Sequence, residues 1–125
     1  MAIRNTDGPW SAPAAVDFSS AGIHTFVSLN SSGQVAQAGV GLKPFGLLDT
    51  SPTAGSQARV DYLPGIYKVI AGGTIAAGAD VTVGANGKAI AAVTSGGVIV
   101  GTVAANGGVA GDVISIAFSR FLGTI

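Results

Sequence analysis

The stretch Gly84-Ala85-Asn86-Gly87-Lys88 comes nearest to the spacing that chemistry would need. A phosphate-binding loop requires a glycine six positions before the lysine and a Ser or Thr after it. Position 82 is Thr and position 89 is Ala, and the lysine leads into a strand pattern, so the motif fails. Nucleophilic catalysis requires a base beside the nucleophile and a group that orients the base. The sole histidine, His24, has no acidic neighbour in sequence and is expected on an alternating strand as a structural residue. All six acids are Asp, at positions 7, 17, 49, 61, 80 and 112. Asp80 and Asp112 each follow a glycine-containing turn, where a carboxylate is suited to bonding the turn's own N–H groups. Gly39-Val40-Gly41 runs into Leu42-Lys43-Pro44 and lacks the strand–helix setting of a dinucleotide site. No His, Asp or Asn spacing suggests a metal. The expectation is a chain with no catalytic residues, no cofactor and no metal, hence not an enzyme.

Bulk composition narrows the class further. Of 125 residues only 10% are charged, six basic against six acidic. Zero net charge without a basic cluster argues against a nucleic-acid partner, which would require Lys and Arg to replace counterions. Mean hydropathy is +0.57, yet Gly, Asp, Asn and Lys interrupt every apolar run before membrane-spanning length, so no membrane partner is expected. Zero Cys excludes a disulfide scaffold or thiol-bound metal. The N-terminus has no apolar run of secretory type. Solubility normally rests on surface charge. A surface this poor in ions is expected to be covered in part by neighbouring subunits.

Twenty glycines, no Glu and abundant Val, Ile and Thr favour strands over helices. From Ile23 the apolar period is two, with Ile23, Thr25, Val27 and Leu29 on one side and His24, Phe26 and Ser28 on the other. Further strands are expected over 34–38, 45–48, 57–63, 66–70, 80–83, 88–93, 98–103 and 112–118. Phe26–Ala38 (FVSLNSSGQVAQA) aligns with Asp80–Ala92 (DVTVGANGKAIAA) at an offset of 54. PFGLL aligns with IVGTV at 55, and GSQARVDY with GDVISIAF at 56. These shifts describe two four-strand copies, about 22–63 and 77–118. Two such sheets can cover each other's apolar faces. The expected fold is therefore all-β, a small barrel or two-sheet sandwich arising from an internal duplication. Residues 1–21, with Pro9 and Pro13 among Gly and Ser, read as an extended N-terminal arm, and 22–125 as a single β domain.

Two family resemblances bear on function. Lys88 after Asn86-Gly87, with a later VAGDV turn, resembles the biotinyl and lipoyl carrier modules, but their Met-Lys-Met or Asp-Lys-Ala signature is absent. The stretch Tyr67–Phe118 resembles the small capsid decoration, or cement, proteins of tailed bacteriophages. The resemblance is carried by Gly73-Thr74-Ile75-Ala76-Ala77-Gly78, Asp80-Val81-Thr82-Val83, Asn86-Gly87-Lys88-Ala89, Gly101-Thr102-Val103 and Ala110-Gly111-Asp112-Val113. It implies a non-enzymatic virion protein, made in the host cytoplasm, that binds the outer capsid surface and clamps neighbouring subunits of the major capsid protein. It also implies a homo-oligomer, and the local three-fold junctions of shells favour a trimer over a dimer. Aromatics and Arg dominate interface energetics. Trp10 and Phe18 in the arm, with Arg4, and Arg120 with Phe121 near the end, are the candidate contacts with the capsid or between subunits. The rival for Trp10 is a lid folded onto its own domain. The rival function is a head-fibre or receptor module binding carbohydrate, for which Trp10, Tyr62 and Tyr67 are the stacking groups.

Overall fold

A computed structural model describes residues 10–20, 22–92 and 97–124. The strands in chain order are β1 (Trp10–Pro13), β2 (Phe26–Leu29), β3 (Val35–Gln37), β4 (Gly46–Leu48) and β5 (Gln57–Asp61). They continue with β6 (Gly65–Ile70), β7 (Asp80–Val83), β8 (Ala89–Ala91), β9 (Val98–Val103) and β10 (Val113–Thr124). They form two five-stranded antiparallel sheets, β1-β5-β4-β2-β3 and β6-β10-β9-β7-β8, arranged as a sandwich. Adding five to each label of the first order reproduces the second. Of the two architectures expected, the sandwich is the one found. Neither sheet closes into a barrel, although a single parallel bridge joins the outer strands of each, Ala14 to Val35 and Ala71 to Ala89.

The pairing registers repeat with the topology. Val27 faces Gln37 and Gly46, and 54 residues later Val81 faces Ala91 and Gly101. Leu48 faces Val60 where Val103 faces Ile116. Gly46 and Gly101 are required by close approach. A methyl on Gly46 would press into the carbonyl oxygen of Asp61, and one on Gly101 would lie 2.8 Å from that of Ala117, the equivalent atom of the second copy. Each repeated unit has five strands rather than four. Trp10 pairs Val60 through β1 as Tyr67 pairs Ile116 through β6, so among the described residues the repeat extends back to residue 10. The segment expected as an arm is thus, from Trp10 to Ala14, part of the first sheet. Pro13 is compatible with this position because β1 is an edge strand, where a missing N–H costs no ladder bond.

Two apolar clusters fill the interior. One gathers Ala12, Ala14, Phe18, Val27, Val35, Leu48, Ala58 and Val60, all from the first copy. The other takes Val69, Val81, Val83, Val100, Val103, Ile114, Ile116 and Phe118 from the second copy, joined by Phe26, Ala38 and Leu47 from the first. The alternation of β2 explains the division, since Val27 points into its own sheet's cluster and Phe26 into its neighbour's.

Ile23–Thr25 departs from the expected strand. His24 has φ +62° in a turn before β2, where its N–H donates to the Leu48 carbonyl and its own carbonyl accepts from Ile70 N–H. β10 runs past the expected end at Phe118, with a register shift before Gly123, which pairs Ile99.

Phe26→Ala is expected to cost about 3–5 kcal/mol, because it empties a buried aromatic site between the copies. Asp80→Ala, at the equivalent exposed register position, should lie within about 0.5 kcal/mol of wild type. Urea denaturation of the two variants checks the contrast.

Candidate functional site

The charged groups that topology brings together lie around the end of β5. Asp49 and Arg59 form an ion pair at 3.6 Å, exposed and therefore weak. Burial, and next the charge of Asp49, push the Asp61 carboxyl above its ordinary value, against the opposing pull of Arg59 and His24. Burial raises the Tyr67 phenol too, with Asp61 a second cause. Two carboxylates, a guanidinium and an imidazole therefore lie within electrostatic range of one another. No nucleophile is activated by them. Among the described residues no group of three His, Cys, Asp or Glu could hold a metal ion.

The two turn aspartates differ. Asp112 Oδ2 accepts from Val109 N–H at 2.9 Å and closes its own turn, as expected. Asp80 instead accepts from Thr102 Oγ1 across the sheet at 3.1 Å. Lys88 follows a tight turn in which Asn86 and Gly87 have φ of +60° and +69° and Lys88 N–H returns to the Ala85 carbonyl. This is the type I′ pattern that Asn-Gly favours. Lys88 is half-buried at the start of β8, not displayed at the tip as a carrier lysine would be.

Of the candidate contact residues, Arg4 lies outside the described residues. Arg120 and Phe121 fall on β10, with side chains outside the described set. Phe18 is 5% exposed within the first copy's cluster, and Trp10 packs half-buried against the same cluster. Both therefore pack on their own first-copy cluster, Phe18 almost completely and Trp10 in part, the arrangement expected of Trp10 as a lid. The pairing of β1 with β5 holds Trp10 against this cluster, and the bond from Phe18 N–H to the Pro52 carbonyl holds Phe18 there. The Trp10 indole N–H is buried without a hydrogen-bond partner among the described residues. The aromatic groups do not form one platform. Tyr62 stacks on Phe45 at 5.5 Å, whereas Tyr67 meets Phe118 edge-on at 6.1 Å.

An apolar face does emerge on the outside of the second sheet, where the expectation had named no residue. Ile66, Lys68 and Ile70 of β6 alternate onto the face that carries Val113, Ser115 and Ala117 of β10. Ile66 is 63% and Val113 53% exposed. The first copy provides the reference. In place of Ile70, Val113 and Ala117 its equivalent positions carry Pro13, Gln57 and Asp61, beside Arg59 where the second has Ser115. One copy keeps an ordinary solvated face and the other exposes aliphatic side chains at the same register.

Fold and surface together define a tandem-repeat β-sandwich with no catalytic constellation among its described residues. One solved structure with this fold is that of the head fiber gp8.5 N base in bacteriophage phi29, determined by crystallography. The likeness has a TM-score of 0.73 at 18% identity and covers 90% of this chain and 94% of that one. At this identity it establishes the shared fold. No protein-family model matches the chain, and no curated sequence matches it.

The environment of Asp61 sets a pH dependence. A carboxyl raised in the folded state binds protons more tightly there, so it favours folding below the unfolded value and loses that contribution as pH rises through the folded value. Asp61→Asn should therefore raise the melting temperature at pH 7 and change it least near pH 3. Thermal melts at the two pH values check the sign.

Proposed function

We propose that the chain is a structural protein of a bacteriophage particle, a rigid base seated on the outside of the head. The observation that carries this reading is the fold likeness to the head-fibre base, which spans both repeated sheets and nearly the whole of either chain. A lone sandwich sheet would be a weak pointer. Two sheets, in the same tandem arrangement over 90% of the chain, support a shared architectural role. The seating surface in this reading is the aliphatic outer face of β6 and β10, because no element among the described residues covers it and its counterpart in the first copy is polar. The partner is the major capsid protein of the shell, and a homo-oligomer of the base, a trimer before a dimer, multiplies each weak contact.

A second reading keeps the same location and differs in coverage: a cement protein that clamps neighbouring capsid subunits. The low charge of the whole chain favours it, since a clamp is bordered by protein on several sides. Interfaces of standard size, about 1,600 Å², then stabilise the shell through repetition.

Co-sedimentation of the purified chain with heads of its own phage, followed by electron microscopy, tests both. A fibre base predicts discrete projections at a subset of sites and unchanged shell melting. A clamp predicts dense coverage and a higher shell melting temperature. If the chain stays in the supernatant at saturating concentration, both readings are overturned. Val113→Asp, on the proposed seating face, should weaken co-sedimentation about tenfold or more while the fold is retained, because a charge would be desolvated at the contact.

A further inference from the structure

A cleft of about 310 Å³ opens where the two copies meet, within the size range of small-ligand sites. One wall is formed after β1 by Val16–Phe18, Ser20 and Gly22, and the other by Asn86 and Lys88 in the turn of the second copy. Both walls are held by backbone contacts rather than by loose side chains. Phe18 N–H donates to the Pro52 carbonyl at 2.8 Å, Gly22 N–H to the Phe18 carbonyl at 3.1 Å, and Thr25 Oγ1 to the Gly22 carbonyl. Opposite, a methyl on Gly87 would lie 2.6 Å from the Phe26 carbonyl oxygen, so the turn sits directly on the first copy's chain. The site is pre-formed, which lowers the ordering cost of binding.

The duplicated turn identifies what is unusual here. In the first copy Asn30 Oδ1 accepts from Ser32 N–H and Gln34 N–H, and Asn30 Nδ2 donates to Gln34 Oε1 at 3.1 Å. That turn satisfies its own polar groups. Fifty-four residues on, Asn30 is replaced by Gly84 and Gln34 by Lys88, so the internal partner is gone. Among the described residues, the side chains of Lys88, Asn86, Gln37 and Ser20 all line the cleft and take no hydrogen bond or ion pair. Asp17 joins them. Ser19, through its side chain and then its backbone N–H, holds the Asp17 carboxyl below its ordinary value, so it stays an acceptor under mildly acid conditions.

The donor and acceptor set narrows the ligand class. A cation drawn to Asp17 meets Lys88, and an anion drawn to Lys88 meets Asp17, so a ligand with a single charge leaves one of them opposed. An uncharged polyhydroxyl compound suits both, because each hydroxyl donates and accepts in turn and so matches the amides and the hydroxyl as well. Among the lining residues the exposed Val16 offers an apolar contact for the C–H surface of a sugar. A volume of about 310 Å³ is at the lower end for small-ligand sites and suits one or two sugar rings. We infer that the cleft between the copies is a binding site for an uncharged saccharide, formed by Asp17, Ser20 and Gln37 from the first copy with Asn86 and Lys88 from the second. The inference stands apart from shell docking, which uses the opposite, aliphatic kind of surface.

The test is an amide chemical-shift titration of the full chain with glucose, galactose, N-acetylglucosamine and their β-1,4 disaccharides, up to tens of millimolar. Saturable shifts confined to residues 17–25, 37 and 85–88 are expected with at least one sugar. Asp17→Asn and Lys88→Ala should each weaken that sugar about tenfold, since a hydrogen bond to a charged group is lost. Gln34→Ala, at the equivalent place of the first copy, should leave it unchanged. Absence of saturable shifts with every sugar, or shifts elsewhere only, overturns the inference. So does a response of the same residues to citrate or spermidine but not to sugars. Unaltered amide spectra of the variants exclude misfolding, and their co-sedimentation with heads reads shell docking separately.

Discussion

The Phe26 ring is the join on which the rest of the molecule depends. It is fully buried, 6.1 Å from the Phe118 ring, and with Leu47 and Ala38 it enters the second copy's core while its neighbour Val27 stays in the first. Two short sheets of small side chains would each hold a modest core. Burying an aromatic group of this size contributes on the order of 2–3 kcal/mol and joins the two cores. Backbone bonds follow from the join. Ile70 N–H reaches the His24 carbonyl, Gly41 N–H the Val83 carbonyl and Val98 N–H the Gly41 carbonyl. His24 adopts a left-handed conformation, which His tolerates better than branched residues do, and so presents its carbonyl to the second copy. Its role is architectural.

At this contact the two copies carry unlike faces. The register positions of Phe26, Leu47 and Ala38 recur as Asp80, Thr102 and Ala92. The first copy thus presents an apolar face to the second, whereas the second presents a carboxylate already bonded to Thr102. A third unit could not dock there in the same way without desolvating Asp80. Divergence after duplication fixed a direction along the pair.

Much of this was legible in the sequence. The offsets of 54, 55 and 56 that align the two halves are those of the observed registers, because strand pairing leaves a period-two pattern and glycines where carbonyls approach. Gly46 and Gly101 lie in the IVGTV alignment for that physical reason. β1 was not legible. Trp-Ser-Ala-Pro has two small residues, a proline and no run of branched ones, so only pairing with β5 makes it a strand. Trp10 and Phe18 consequently looked like groups with nothing to bury them. The cleft was hidden differently. Its five polar residues are scattered from 17 to 88, and no local spacing joins them. A trace was present, however, in the alignment of Gln34 with Lys88 and of Asn30 with Gly84, which removes an internal partner from the second turn.

A duplicated protein carries its own control experiment, and this one separates scaffold from surface. Positions that both copies need for folding have remained alike: Val27 and Val81, Gly46 and Gly101, Ala14 and Ala71. Away from the join, where Phe26 and Leu47 stand against Asp80 and Thr102, a strong difference between the copies is not required by the sheet, since the other copy folds without it. Gln57 and Asp61 against Val113 and Ala117 is one such pair of changes, and it turns a solvated face aliphatic. Gln34 against Lys88 is another, and it turns a self-satisfied turn into an open polar wall. Both lie on the second copy, on surfaces of opposite character. An aliphatic sheet face suits a broad, dry protein contact, and a preformed polar cleft suits a small hydrated ligand. The proposed base, seated on a head by one surface while the other stays accessible, requires that separation. Neither change could arise from packing demands, because packing was already met by the copy that lacks it.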